Sequence, residues 1–143
     1  MQVKEIMTHS IETIDADAYL IQAARKMKSL EVGALPVVDK GKVVGMVTDR
    51  DIAIRGVAAG KNPSTTQVRE VMTSGVFKCY EDDDIHDAAE MMENKGIHRL
   101  LVLNSDNEPV GFVSLADFAV KSHDERLAWE ILEKISEPAS PHR

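Results

Sequence analysis

The pattern of apolar and polar positions predicts the same succession of elements twice along the chain. Each half begins with a short apolar strand, then a polar turn, and then a helix whose apolar residues recur every three or four positions. Two strands joined by turn-forming residues follow, and a second helix closes the half. The predicted elements of the first half are a strand at 13–15, a helix at 18–30, strands at 34–39 and 43–47, and a helix from Asp49. Those of the second half are a strand at 76–79, a helix at 85–95, strands at 99–103 and 110–113, and a helix from about Leu115.

The amino acids themselves repeat in register, which indicates two copies of one unit. The segment Val3-Lys4-Glu5-Ile6-Met7-Thr8 returns as Val68-Arg69-Glu70-Val71-Met72-Thr73, at an offset of 65. We therefore predict an α/β (α+β) fold of two β-α-β-β-α units packed about a pseudo-twofold axis. The predicted bounds are 1–62 for the first repeat, 63–123 for the second, and 124–143 for a C-terminal helix and tail.

Residues 124–135 predict an additional amphipathic helix. Its apolar stripe consists of Leu127, Ile131, Leu132 and Ile135, with the only tryptophan, Trp129, close to its edge. A monomer would leave part of this stripe exposed, so the sequence predicts a homodimer. Residues 136–143 contain two prolines and are expected to form a frayed tail.

Charge and composition exclude several function classes. A net charge of −7 argues against binding to nucleic acid or to an anionic membrane, since both require a basic face. No apolar run reaches the length of a membrane span, and no signal-peptide core follows Met1, so a cytoplasmic location is expected. Cys79 is the only cysteine, and its position in an apolar strand predicts a buried structural thiol.

The sequence contains no catalytic or metal-binding pattern. It has no Gly-x-Ser-x-Gly elbow and no Walker-type loop, and its histidines are dispersed. The acidic cluster at 81–84 is interpreted as a helix-capping turn, because nothing supplies a closed set of metal ligands at fixed spacing. We therefore expect a protein that is not an enzyme and that requires no cofactor.

The candidate chemistry lies in a doubled segment. Gly45-Met46-Val47-Thr48-Asp49-Arg50-Asp51 recurs as Gly111-Phe112-Val113-Ser114-Leu115-Ala116-Asp117. Each copy is interpreted as a glycine turn, a short strand, a hydroxyl that caps a helix, and an aspartate one turn later. The cap leaves N–H groups suited to an anion, and the carboxylate can accept two hydrogen bonds from ribose hydroxyls. Alone, Thr48 and Ser114 would be ordinary caps, and Asp51 could simply pair with Arg50, Arg55 or solvent. The doubling favours a binding role.

These residues resemble a known family. The two Val-x-Glu-Ile/Val-Met-Thr openings, the stretch Val32-Gly33-Ala34-Leu35-Pro36-Val37-Val38 and the two Gly-x-Val-Thr/Ser-x-x-Asp ends resemble a tandem pair of CBS domains. The resemblance covers about Val3 to Lys121, and Thr48 to Gly60 further resembles small bacterial stand-alone CBS pairs. It implies a regulatory module that binds AMP, ADP, ATP or S-adenosylmethionine in clefts between the repeats, and that commonly dimerises.

The resemblance also implies which residues line the clefts. Each cleft takes its hydroxyl and aspartate from one repeat, and takes the early strand and the segment before the second strand from the other repeat. The first cleft would use Met46, Thr48, Asp51, Val76, Phe77, Ile97, His98 and Arg99. The second would use Phe112, Ser114, Asp117, Ile11, Thr13, Val32, Gly33, Ala34 and Pro36. The first cleft is the preferred nucleotide site, because His98 and Arg99 offer donors to a phosphate. In the plainer interpretation, His98 is a structural residue and Arg99 a surface residue.

Two functions remain open at this point. In the first, an adenine nucleotide shifts the packing of the repeats and changes the surface offered to an unidentified regulated protein. In the second, a ligand-free structural or interaction protein acts through dimerisation and the C-terminal helix. The paired hydroxyl and aspartate residues favour the first, since a scaffold would not require them.

Overall fold

The computed structural model describes residues 1–9 and 11–136, with only the backbone described at Ile135. These residues divide into unit 1, comprising Met1–Ile11 and the chain from Phe77 onward, and unit 2, Glu12–Val76. Each unit contains one three-stranded sheet with helices, which confirms the predicted α+β class. The predicted frayed tail lies, beyond Ser136, outside the described residues.

Unit 2 is built on a sheet of order β1-β2-β3, with β1 parallel to β2 and β2 antiparallel to β3. Its elements are β1 (Ile14–Asp15), α1 (Leu20–Leu30), β2 (Ala34–Asp39), β3 (Lys42–Thr48), α2 (Asp49–Asp51), a π-helix (Ile52–Val57) and a 3-10 turn (Val68–Glu70). Lys40 and Gly41 join β2 to β3 with φ angles of 54° and 79°. Positive φ at both central positions is typical of the tight turn that suits a twisted hairpin.

Unit 1 repeats this arrangement in a sheet of order β4-β5-β6, again with one parallel and one antiparallel pair. Its elements are a 3-10 turn (Val3–Glu5), β4 (Lys78–Tyr80), α3 (Ile85–Lys95), β5 (Arg99–Leu103), β6 (Pro109–Ser114), α4 (Leu115–Lys121) and α5 (Glu125–Ile135). Helix α3 has the predicted bounds, since the Asp84 carboxylate accepts a hydrogen bond from the His86 backbone N–H at 2.8 Å. Helix α1 begins at Leu20, two residues later than predicted, because a turn first forms between Asp15 and Ala18.

Each repeated opening segment joins the sheet of the other sequence repeat. Thr8 exchanges two backbone hydrogen bonds with Phe112, of 2.8 and 3.1 Å, and both residues lie in unit 1. Thr73 makes the equivalent pair with Met46 in unit 2, at 2.8 and 2.9 Å. The sequence repeats and the structural units therefore have different membership, and the predicted bounds of 1–62, 63–123 and 124–143 stay a prediction.

These bridges explain two glycines that the sequence analysis placed in turns. Gly45 lies within β3 and Gly111 within β6, so that expectation was wrong. A Cβ at Gly45 would lie 2.6 Å from the Thr73 carbonyl oxygen, and one at Gly111 would lie 2.1 Å from the Thr8 carbonyl oxygen. Both positions require glycine because the backbone of the opening segment passes directly against the strand.

The two units have separate apolar cores. The core of unit 2 packs Leu20, Ala23 and Met27 of α1 against β2 and β3, whereas Leu30, predicted on the same face, is 39% exposed. In unit 1, Leu127 and Ile131 of α5 are buried in the core that contains α3. The additional C-terminal helix is thus confirmed, but these two members of its stripe are not available to a dimer interface. No described helix has the length and apolar composition needed to cross a membrane.

Candidate functional site

In unit 2, Thr48 and Asp51 form a reciprocal capping box. The Asp51 N–H donates to Thr48 Oγ1 and the Thr48 N–H donates to Asp51 Oδ2, each at 3.0 Å. Asp51 is only 9% exposed, and the Nε of Arg55 lies 3.9 Å from its other oxygen, Oδ1. The box therefore holds the carboxylate in one orientation, with one oxygen committed to the backbone and the other beside a cation.

In unit 1, Ser114 and Asp117 repeat this geometry. The Ser114 N–H donates to Asp117 Oδ2 at 2.8 Å, and the Asp117 N–H donates to Ser114 Oγ at 3.3 Å. Lys121 Nζ lies 3.3 Å from Asp117 Oδ1, and Asp117 is 8% exposed. Both hydroxyls therefore cap a helix, and Asp51 lies beside Arg55, which was the plainer alternative for that residue. Each unit places a nearly buried carboxylate at the matching position.

The sheet register determines which residues stand beside these hydroxyls. Ala34 is opposite Thr48 in unit 2, and Arg99 is opposite Ser114 in unit 1. The pairing extends by one residue in each unit. Gly33, which precedes Ala34, accepts a backbone hydrogen bond from the Asp49 N–H, and His98, which precedes Arg99, accepts one from the Leu115 N–H, both at 2.9 Å. The structure thus brings Arg99 next to Ser114, while the predicted grouping of Arg99 with Thr48 and Asp51 stays a prediction.

Two aromatic residues that were predicted to contact a ligand, Phe77 and Phe112, each lie beside a cationic side chain. The guanidinium carbon of Arg99 lies 5.1 Å from the ring centre of Phe112, on the neighbouring strand. Lys95 Nζ lies 5.8 Å from the ring centre of Phe77. A cation over an aromatic face is stabilised by the ring quadrupole, so Phe112 favours an Arg99 orientation along the surface of the sheet.

A groove of about 780 Å³ in unit 1 includes some of the predicted site residues. Its lining residues are His98, Arg99, Ser114, Leu115, Ala116, Ala119, Glu125, Ala128, Trp129 and Leu132. The volume is within the range of small-molecule sites. The last four residues belong to α5, and sequence reasoning did not assign them to a site. The available signal was the position of Trp129 at the edge of the apolar stripe.

The remaining predicted residues are distributed over both units. In unit 2, Pro36 is buried in β2, Met46 is half-buried in β3, Val32 is exposed, Val76 is half-buried, and the Thr13 carbonyl accepts a hydrogen bond from Lys26 Nζ. In unit 1, Ile11 is half-buried, and Ile97 packs at the edge of the core. Within each unit, the residue before the second strand and the first residue of that strand lie beside the hydroxyl that ends the third strand.

The acidic cluster and the cysteine have structural roles. Asp83 Oδ2 accepts a hydrogen bond from the Tyr80 N–H at 2.9 Å, and hydrogen bonds from His86 lower the pKa of Asp84. Burial, together with the nearby Asp83 charge, raises the pKa of Cys79 to about 12. In the described part of the chain, no three His, Cys, Asp or Glu side chains are grouped so that they could hold a metal ion.

Comparison with known proteins agrees with this architecture. A sequence model of the CBS domain matches residues 3–56 and 68–124. The CBS domain-containing protein YhcV of Bacillus subtilis is 37% identical over 134 residues, which are 94% of each chain.

Solved structures give the same result. The crystal structure of Hypoxic Response Protein I, determined with two coordinated zinc ions, matches with a TM-score of 0.72 at 31% sequence identity. The matched region covers 83% of this chain and 97% of the chain in that structure. The CBS domain pair of protein MJ0100, in complex with 5′-methylthioadenosine and S-adenosyl-L-methionine, matches with a TM-score of 0.70 at 27% sequence identity. The matched region covers 87% of this chain and 98% of the chain in that structure. With both of its repeats matched, this chain belongs to the CBS domain family.

Proposed function

We propose that this chain is a non-catalytic regulatory module that binds an adenosyl ligand and passes the bound state to a partner protein. The observation that carries the proposal is the repeated capping box, which holds a nearly buried carboxylate at the same position in both units. The ligands bound by the MJ0100 pair, which are both adenosyl compounds, support the ligand class. The specific candidates are AMP, ADP, ATP and S-adenosylmethionine.

The chemistry of each half-site follows from its donors and acceptors. The ribose hydroxyls donate to the free oxygen of Asp51 or Asp117, in competition with the neighbouring Arg55 or Lys121. Because the capping box already fixes the carboxylate, little side-chain entropy is lost when the sugar binds. In unit 1, the exposed side chains of His98 and Arg99 are available to a phosphate, and Arg can bind it through two parallel hydrogen bonds.

Regulation requires a ligand that binds two states with different affinity. We propose that the ligand-bound state differs in the surface offered to the regulated protein, and that the chain acts as a homodimer. The partner would recognise this surface and not the ligand itself. A ligand of equal affinity for both states would change nothing, however tightly it bound.

A second function, as a ligand-independent interaction protein, is favoured by one observation on α5. Trp129 is 65% exposed and Leu132 is 39% exposed, although neighbouring positions of the same helix are buried. Exposed tryptophan is enriched at the centres of protein interfaces. This function predicts partner or self-association that does not depend on adenosyl compounds.

Thermal melting of the full chain with AMP, ADP, ATP and S-adenosylmethionine tests the proposal, with guanosine monophosphate as the control ligand. A ligand that binds only the folded state at 100 times its Kd stabilises the protein by about 2.7 kcal/mol, so the adenosyl compounds should raise Tm. Asp51→Ala and Asp117→Ala should each weaken binding at their own unit by roughly 1.5–3 kcal/mol, because ribose hydroxyls lose a charged acceptor. Asp106→Ala, in the exposed hairpin turn of unit 1, is the matched control. Unchanged melting with all four ligands would refute the proposal and leave the interaction function.

A further inference from the structure

Arg55 contacts two different parts of unit 2. Its Nε lies 3.9 Å from Oδ1 of Asp51, the carboxylate oxygen that the capping box leaves free. Its Nη1 donates hydrogen bonds to the backbone carbonyls of Val71, at 3.4 Å, and Met72, at 3.3 Å. Because the donors of a planar guanidinium are fixed relative to one another, this side chain joins the candidate site to a segment sixteen residues further along the chain.

The two carbonyls belong to the last part of unit 2 before the chain enters unit 1. Just after them, Thr73 exchanges two backbone hydrogen bonds with Met46 of β3, at 2.8 and 2.9 Å. Unit 2 ends at Val76, so the chain enters unit 1 soon afterwards. We call residues 71–76 the crossing segment. Its attachment to unit 2 thus combines the bridge at Thr73 with the hydrogen bonds from Arg55.

Unit 1 has a cation at the matching position but not the same contact. Lys121 follows Asp117 by four residues, and its Nζ lies 3.3 Å from Oδ1. Arg55 follows Asp51 at the same spacing. Among the described residues, Lys121 makes no hydrogen bond to a backbone carbonyl of the opening segment, 3–8. The side chain that joins a buried carboxylate to the segment leaving the unit is therefore a feature of unit 2.

A ribose bound at Asp51 would compete with Arg55 for the same oxygen. Oδ2 of Asp51 already accepts from the Thr48 N–H at 3.0 Å, so the sugar hydroxyls would donate to Oδ1, which faces Arg55. The bonds from Arg55 to the carbonyls are longer than most protein hydrogen bonds, so they depend on the carboxylate to orient the guanidinium. The Arg55 side chain is 55% exposed, and water solvates it once this orientation is lost.

We propose that Arg55 is a positioning residue that couples ligand binding at Asp51 to the crossing segment, an inference that rests on the proposed function. In the free protein, Arg55 binds the segment through two carbonyls. In the ligand-bound protein, the sugar takes Asp51 Oδ1, Arg55 releases the carbonyls, and the segment that leads into unit 1 is less firmly attached. A ligand at Asp117 has no equivalent effect, because Lys121 binds no such segment.

Amide hydrogen exchange of the full chain, with and without each of AMP, ADP, ATP and S-adenosylmethionine, tests this coupling. The reporter is the Thr73 amide, and the control reporter is the equivalent Thr8 amide in unit 1. Each donates to the strand beside it at 2.8 Å. The variant is Arg55→Gln, and Lys121→Gln makes the same charge change at the matching position of unit 1.

In the parent, each compound that binds should accelerate exchange at Thr73 about three-fold or more, whereas a ligand that only stabilises the fold slows exchange. In Arg55→Gln, exchange at Thr73 should already be about three-fold faster without ligand, and a ligand should not accelerate it further. A residue with a purely structural role would leave the ligand response of Thr73 intact. Lys121→Gln should keep the response of the parent, and Thr8 should not be accelerated in any of these proteins.

Calorimetric titration gives a second readout, because coupling free energies are reciprocal. Arg55→Gln should tighten every adenosyl compound that the parent binds by about two- to five-fold, since all share the ribose that competes for Asp51. For AMP, ADP and ATP, a direct effect of the lost positive charge would instead weaken binding. A purely structural role would leave the affinities unchanged or weaken them.

The possible failures are distinguishable. If the parent binds an adenosyl compound but Thr73 is not accelerated, or is accelerated equally in Arg55→Gln, the coupling is wrong and the adenosyl-binding function stands. The same conclusion follows if Arg55→Gln does not tighten binding. If the parent binds none of the four compounds, the proposed function and this inference are both refuted.

Discussion

Unit 1 and unit 2 begin alike and end differently. Both have one parallel and one antiparallel strand pair, followed by a capping box on a hydroxyl and an aspartate. After the box, unit 2 continues as the π-helix Ile52–Val57, whereas unit 1 forms the regular helices α4 and α5. The shared part is what fixes a carboxylate. The parts that differ determine which charges and apolar surfaces surround it.

A glycine accounts for the close packing at the π-helix. Gly56 is buried, and a Cβ at this position would lie 2.8 Å from Leu20 Cδ1 of α1. Ile54 and Val57 of the same segment are 52% and 63% exposed, so the segment buries a glycine and presents larger apolar side chains. In unit 1, by contrast, Phe118 of α4 is fully buried, so that helix contributes bulk to its core.

The contribution of α5 to unit 1 can be tested by truncating a buried side chain. Ile131 is fully buried, so Ile131→Ala should lower the free energy of unfolding by about 3 kcal/mol through lost burial and a residual cavity. Leu132→Ala, on the exposed side of the same helix, is the matched control and should cost less than about 1 kcal/mol. Urea unfolding measures both, and equal losses would show that α5 is not packed in this orientation.

The bridge between an opening segment and its sheet predicts the next largest effect. Gly111→Ala would place a Cβ against the Thr8 carbonyl, which belongs to the backbone and cannot rotate away, so we expect a loss of about 2–3 kcal/mol. Gly33→Ala is the control, since its Cβ would meet only the movable Asp49 side chain at 3.0 Å. A urea midpoint for Gly111→Ala as high as that of Gly33→Ala would contradict the bridge.

Much of the fold could be predicted because local patterns and tertiary packing agree. The bounds of α3 follow from the Asp84 cap, and those of β2 and β5 from their apolar runs. The capping boxes were predictable from residue spacing alone. The apolar stripe predicted α5, but not which part of the stripe the core of unit 1 would bury, because burial depends on neighbouring elements.

The features that the sequence analysis missed depend on contacts far apart in the chain. Gly45 and Gly111 were interpreted as turn residues, since nothing local indicates that Thr73 and Thr8 lie against them. The neighbourhood of Arg99 and Ser114 depends on the antiparallel register of β5 and β6. A one-residue slip in that register would place these side chains on opposite faces.

The buried thiol of unit 1 predicts a pH-dependent effect that is smaller, per pH unit, than either loss above. The ordinary pKa of 9.0 is raised to about 12 by burial of Cys79, so the folded state keeps the neutral thiol when the unfolded chain has already ionised. The thiol contribution to folding stability is therefore fully present below about pH 9 and decreases by at most about 1.4 kcal/mol per pH unit as the pH rises towards 12. The difference in unfolding free energy between the parent and Cys79→Ala, measured from pH 8 to about pH 11, checks this. A constant difference would contradict a buried, neutral thiol.

The comparison of the two units is tested most directly by mapping backbone amide chemical shifts during a titration of the full chain with AMP. We expect the largest changes at His98, Arg99 and Leu115 in unit 1, and much smaller changes at these amides with adenosine, which lacks the phosphate. Largest changes at Gly33, Thr48 and Asp49 of unit 2, with the three unit 1 amides unaffected, would contradict the assignment of phosphate binding to unit 1.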